Sequence, residues 1–232
     1  MEEILEIPSF RVKEPLKLDT SQFATTGRNS FLYAITDCSN QSDLSHLEAV
    51  GFQVIETNVT FKQDMRCELK IEPHQNNGYQ IRLASIGDRK DVEEIARQSF
   101  IFDRFHKDPK FSSAKADKIK KHWSSNFFLG KRGDTMVVAS ENNRAVAFLL
   151  LLHGITENVI DLIAVDSNHR NNGLAMQMID FVKRVDITQK KLLVGTQASN
   201  IPSLRMYEKM GFKVINSQFV HHYHGPFINV DS

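Results

Sequence analysis

Cysteine is scarce in this sequence. The 232 residues hold two, Cys38 and Cys67, 29 positions apart and outside any CxxC pattern. A disulfide is possible on count alone, but in a cytoplasmic chain the pair reads as two free thiols that pack as small hydrophobes. Long apolar runs are also missing. The longest, from Ala145 to Leu152, suits a buried strand and falls far short of the roughly 20 residues that span a bilayer. The opening Met1-Glu2-Glu3-Ile4 is acidic, without a basic stretch leading into an apolar one. A secretory signal is therefore not expected, and a cytoplasmic protein with no membrane partner is. Internal repeats and low-complexity segments are absent, which excludes a repeat architecture.

What is present is ordinary for a folded soluble protein: 41% hydrophobic and 25% charged residues. The length admits one large domain or two small ones. The net charge of +1 conceals an asymmetry. Residues 1–78 carry 7 Lys and Arg against 12 Asp and Glu, and the remainder carries 22 against 16. An anionic ligand therefore belongs to the second part. Its excess of +6 over 154 residues is modest for a nucleic-acid binder, so a phosphorylated small molecule is the expected partner and nucleic acid is not.

The first part is the harder to read. Phe31, Tyr33 and Ile35 alternate, predicting a strand over 28–36. Residues 42–51 predict a short helix, opened by Ser42 or Asp43 and closed by Gly51. The β-branched and aromatic run 52–61 predicts a strand or a bent pair. Residues 72–78 contain Pro73, Gly78 and three amides, and make the best linker in the chain. A boundary is expected there, between a companion domain at 1–77 and a main domain at 78–232. In the second part, strands are predicted at 79–84, 135–140, 145–153, 158–166, 191–196 and 212–224. Helices are predicted at 88–102, 113–128, 172–188 and 201–210.

One junction carries chemistry. The strand ending at Val165 runs into Asp166-Ser167-Asn168-His169-Arg170, and Asn171-Asn172-Gly173-Leu174-Ala175 opens a strongly amphipathic helix. A glycine at that position lets backbone N–H groups come close to a ligand. The first-turn N–H groups have no intrahelical partners, and the helix dipole adds positive potential. With Arg170 adding a charge, this is a phosphate cradle built from backbone. The spacing is not that of a P-loop, and the strand pattern is not that of a Rossmann unit.

The run Arg170-Asn171-Asn172-Gly173-Leu174-Ala175 resembles the R/Q-x-x-G-x-G/A signature of the GCN5-related N-acetyltransferases (GNAT). Downstream, Asn200, Ser203, Tyr207 and Gly211-Phe212 are spaced like the second signature of that family. The resemblance covers about residues 79–226. It implies an α/β fold, with a mixed, mostly antiparallel central sheet flanked by helices and here a smaller N-terminal α/β companion. It also implies acyl-coenzyme A as co-substrate, no metal, and direct transfer without an acyl-cysteine. The pyrophosphate would lie on Arg170, Asn171, Asn172, Gly173, Leu174 and Ala175. The pantetheine arm would pair with the backbone of Ile163, Ala164 and Val165, and Asn200 would also touch coenzyme A. Tyr207 matches the general acid that protonates the leaving thiolate. For the base, Asp161 is the candidate, on the strand face of Ile163 and Val165. A solvated strand carboxylate, or a water relay ending at Asp161 or a histidine, is the alternative.

The element Asp103-Arg104-Phe105-His106-Lys107-Asp108-Pro109 resembles the R-F-x-x-D-P element of the dTDP-amino-deoxysugar N-acyltransferases, and stretches 18–23 and 47–57 are similar to their N-terminal region. This implies a nucleotide-linked amino-deoxy sugar as acceptor, in surface polysaccharide synthesis. Arg104, His106 and Lys107 would meet its phosphates, and Phe105 would wall its base or sugar. His222 is expected to line the acceptor pocket. His222 and His224 share a strand face, but with no carboxylate nearby in the sequence they make a poor metal site, and none is expected. A homodimer is expected, paired through the edges of the long terminal strand and the companion. Other functions remain open: acetylation of another small amine or of a protein amine, or acyl-coenzyme A sensing without catalysis.

Overall fold

The structure, a computed structural model, describes residues 7–18, 29–64, 78–185 and 191–226. Cys67, the stretch 19–23, the expected linker at 72–77 and the expected helix end at 186–188 lie outside the described residues. In chain order the elements are β1 (Ser9–Val12), β2 (Asn29–Asp37), α1 (Gln41–Ala49), β3 (Gln53–Asp64), β4 (Gln80–Leu83), α2 (Arg89–Ser99) and the single-turn α3 (Arg104–Lys107). They continue with α4 (Ser113–Phe128), β5 (Thr135–Glu141), β6 (Arg144–Leu152), β7 (Asn158–Val165), α5 (Leu174–Val185), β8 (Lys191–Gln197), α6 (Ile201–Lys209) and β9 (Lys213–Pro226). Only β1 and α3 have no counterpart among the expected elements.

Among the described residues the nine strands form one sheet, in the order β1-β2-β9-β3-β8-β7-β6-β5-β4. Pairing is antiparallel except for β1 with β2 and β7 with β8. Strands from both sides of residue 78 thus share a sheet, and β3 is wedged between β8 and β9. The terminal strand β9, expected to offer an edge, is interior and paired on both sides. The edges are instead β1 and β4, of four residues each, which leave little backbone for pairing with another copy.

The central strand β6 explains its own sequence. Leu149 and Leu151 face the cluster under α5 and α6, while Phe148 and Leu150 face the one under α2. All four are fully buried, so a strand covered on both faces reads as a continuous apolar run. A third cluster joins Phe31 of β2 to Phe105 of α3 and to Ala116 and Ile119 of α4. Local signals place the helices that carry the site. Asp103 caps α3 by accepting from the Phe105 and His106 N–H groups, and Asn200 caps α6 by accepting from Ser203 N–H. Among the described residues, no helix is long and apolar enough to cross a membrane.

A bulge alters β7. Leu150 pairs with Leu162 and Leu151 with Ile160, leaving Asp161 as the extra residue. Ile160 consequently packs on the α5 side and Leu162 on the α2 side. Asp161 does not share a face with Ile163 and Val165, as strict alternation predicts. Those two pack toward α5, whereas Asp161 pairs with Arg132, whose guanidinium lies 5.7 Å from the Trp123 ring on α4.

Candidate active site

The sheet splits at its centre. β7 and β8 pair only from Asn158–Leu192 to Ile160–Val194, and beyond that point they diverge. The outer side of β8 stays bound to β3 as far as Gln197, and β7 stays bound to β6 through Val165. The edge of β7 beyond Ile160, along Ile163, Ala164 and Val165, is therefore not paired with β8, and the backbone groups that alternate onto it face the gap.

The cradle stands at the far end of this opening. Ser167–His169 forms a single 3-10 turn after β7, and Asn171 (φ 64°) and Gly173 (φ 70°) are left-handed before α5 begins. The loop is braced from outside. The Asn172 amide donates to the His169 carbonyl at 3.1 Å, and the Tyr79 hydroxyl lies 3.1 Å from His169 Nδ1. Arg170 Nε donates to the Val165 carbonyl at 3.3 Å, which places its guanidinium beside the cradle. Leu174 is buried, so it and Ala175 offer backbone only. A valine at Gly173 forces a β-branched residue into the left-handed region, at about 1–2 kcal/mol. Gly173→Val is expected to weaken coenzyme A binding about tenfold or more by calorimetry.

Tyr207 lies beneath the fork. It is 1% exposed, and its ring packs 5.6 Å from that of Phe61 and 5.5 Å from that of Phe212. Phe61 sits opposite Val194, the last β8 residue paired with β7. Burial pushes the phenol up, so it stays protonated at neutral pH. Asn200, expected to touch coenzyme A, caps α6 and also donates to Thr196 Oγ1 at 3.2 Å.

On the other face of the sheet a charged cluster gathers from four segments. Its centre is Glu56 of β3, which no motif in the sequence singled out. A second bulge, skipping Ile55, sets Glu56 opposite Val220. Glu56 is 6% exposed, and its Oε2 is buried without a hydrogen-bond partner. Burial pushes its carboxyl up to about 7, although Lys107, Lys120 and Arg104 pull it down. Lys107 Nζ reaches across to Ser199 Oγ at 2.6 Å, just past the end of β8. The Arg104 guanidinium stacks 4.0 Å from the centre of the Tyr33 ring. Lys120 is 7% exposed and within electrostatic reach of both Glu56 and Asp161. The one available hint was a lone carboxylate in an otherwise uncharged strand, 53–61.

The structure separates the other expected site residues. Asp161 spends both oxygens on a bidentate pair with Arg132, at 2.5 and 2.6 Å, which leaves it poorly placed to take a proton. Phe105 is fully buried between Phe31, Phe111 and Trp123, so it packs the core and walls no ligand. His106 gives its two ring nitrogens to Asp103 and Asp117, each at 3.0 Å. His222 is 2% exposed and turned toward Asp108. Arg104 and Lys107 remain as cations beside Glu56.

A half-open sheet with a glycine-marked cradle at the end of the splayed strand defines a class of acyl-coenzyme A-binding domain. A model of the Acetyltransferase (GNAT) family matches residues 90–212, more than half of the chain, and the chain belongs to that family. The spore coat polysaccharide biosynthesis protein SpsD of Bacillus subtilis (strain 168) is 32% identical over 138 residues. That match takes in 59% of this chain and 47% of SpsD, so the chain spans about half the length of this relative. Among solved structures, a GCN5-related N-acetyltransferase from Sphaerobacter thermophilus aligns with a TM-score of 0.58 at 15% identity, over 88% of this chain and 63% of that one. Another, from Kribbella flavida, aligns with a TM-score of 0.57 at 13% identity, over 87% and 71%. At such identities the likeness is one of fold.

Proposed function

We propose that the protein transfers an acyl group from acyl-coenzyme A to the amine of a nucleotide-linked amino-deoxy sugar, dTDP-linked in the first instance and drawn from the cytoplasm. The observation that carries this reading is the juxtaposition of the β7–β8 opening with a buried carboxylate ringed by cations. The gap lets groups on the two faces of the sheet meet one ligand. Coenzyme A pairs with the free edge of β7 and rests its pyrophosphate on the cradle. The acceptor enters from the α3–α4 face, where Arg104 and Lys107 suit its phosphates. Glu56, and not Asp161, takes the proton from the acceptor ammonium, because a carboxyl near 7 serves as a base at neutral pH. The freed amine attacks the thioester carbonyl, and Tyr207 protonates the departing thiolate.

The saccharide acceptor draws support from SpsD, whose name ties it to spore coat polysaccharide. A protein amine is the weaker reading, since a carboxylate only 6% exposed suits a small, enclosed acceptor better than an open groove. Thermal shift with coenzyme A, dTDP, UDP and their pairs tests the proposal. A ligand at 100 times its Kd adds about 2.7 kcal/mol to the native state. Stabilisation by coenzyme A, with a further rise on adding dTDP, is expected. A response to coenzyme A alone would move the acceptor search to simple amines and proteins. Absence of any response to coenzyme A would sink the reading.

A further inference from the structure

A second polar cluster lies outside the acyl-transfer site. Asp108, the residue that closes α3, is 2% exposed. Its Oδ2 lies 2.6 Å from His222 Nδ1 and 2.7 Å from His224 Nε2, both rings standing on β9. Its Oδ1 accepts from the Lys110 backbone N–H at 2.9 Å, so a single oxygen faces the two rings. The three donor atoms lie within 4.8 Å of one another. The rings meet at 74°, so they do not stack. Aromatic side chains wall the cluster: the Phe31 ring is 4.7 Å from His222 and the Phe111 ring 5.0 Å from His224.

Two features fit poorly with a mere hydrogen-bonded anchor. Among the described residues, this buried carboxylate is paired with two imidazoles and a backbone N–H, and with no lysine or arginine. A buried carboxylate without a full counter-charge is costly. In addition, His222 Nε2 is buried without a partner, so no outer hydrogen bond fixes the tautomer of the ring and Nδ1 is not held to the protonated form. Two imidazole nitrogens and one carboxylate oxygen form a donor set of borderline softness. It suits zinc and its first-row neighbours, whereas calcium and magnesium take oxygen ligands.

We propose that Asp108, His222 and His224 bind one divalent transition-metal ion, with zinc as the ion to test. Without the ion, each ring donates its inward N–H to Oδ2. On metal binding that proton leaves to solvent while the outward nitrogen takes one up, and the bared nitrogens and Oδ2 coordinate the ion without oxidation or reduction. The remaining coordination position lies on the side of His224, the accessible member, whose side chain is 21% exposed against 1% for His222. The ion clamps α3 onto β9 and so fixes the turn that carries Arg104 and Lys107. The proposal stands independently of acyl transfer. The sequence could not show it, because Asp108 lies 114 residues before His222.

The test uses untagged protein stripped with a chelator. Wild type is titrated with Zn2+ by calorimetry and with Co2+ by visible absorption. One equivalent is expected to bind, with the d–d bands of a low-coordinate Co2+ site. His224→Gln, at the accessible position, is expected to weaken binding by more than about 100-fold, the upper end of what loss of an outer partner costs a metal site. Failure of wild type to bind either ion stoichiometrically would overturn the proposal whatever the variant does. So would binding that His224→Gln retains in full.

Discussion

Tyr207→Phe is expected to lower kcat by about 10²–10⁴-fold, the usual contribution of one general acid, while coenzyme A affinity stays within about twofold. The contrast follows from where the residue sits. Its ring fills a fully packed site between Phe61 and Phe212, and phenylalanine keeps that ring. The substitution removes one oxygen, on a phenol that burial keeps protonated. Steady-state kinetics with a saturating acceptor, together with calorimetry of coenzyme A binding, separates the effects. An unchanged kcat would remove Tyr207 from the chemistry. A parallel loss of affinity would mean that the hydroxyl supports the fold of the cradle side.

Glu56→Gln is expected to cost a similar factor in kcat/KM, about 10²–10⁴, and to abolish the acid limb expected of wild type near pH 7. Asp161→Asn should leave that limb in place, because Asp161 is held by Arg132. The same substitution carries a stability signature of opposite sign. Burial raises the Glu56 carboxyl from 4.5 unfolded to about 7 folded. The folded protein therefore holds the proton more tightly between those values. Its stability contribution is complete below pH 4.5 and is lost as pH rises through about 7. The loss amounts to about 3 kcal/mol at pH 8. Glutamine does not ionise, so relative to wild type the variant should gain that amount between pH 4 and pH 8. The difference corresponds to roughly 6 to 12 °C in Tm for a chain of this size. A catalytic loss paired with an alkaline gain in stability is the mark of a strained functional carboxylate. An unchanged acid limb in the variant would return the base role to another group.

Much of this protein follows from local rules. The helices at 88–102, 113–128 and 201–210 and the strands of the second part are legible because 3.6- and 2-residue periodicity survives wherever one or two faces are buried. The cradle is legible because glycine and asparagine mark left-handed backbone just before an amphipathic helix, a signal confined to a few consecutive residues. Phe105 and His106 show the limit of that reading. A short motif near a basic run looks like a ligand surface, yet in space one side chain fills the core and the other is held by two carboxylates.

The sequence by itself determined the order of the described elements apart from β1 and α3, the position of the cradle and the family. The tertiary structure alone decided which distant groups meet. β3 is inserted between β8 and β9, so a glutamate of the early chain reaches three cations of the middle chain. Bulges at Ile55 and Asp161 break strand parity, which no alternation pattern announces. Asp108 meets His222 and His224 because α3 lies against β9. The physical reason is the same in each case. Periodicity and capping act over a few residues, whereas burial of a charge depends on strand order and register, which are set by packing across the whole sheet.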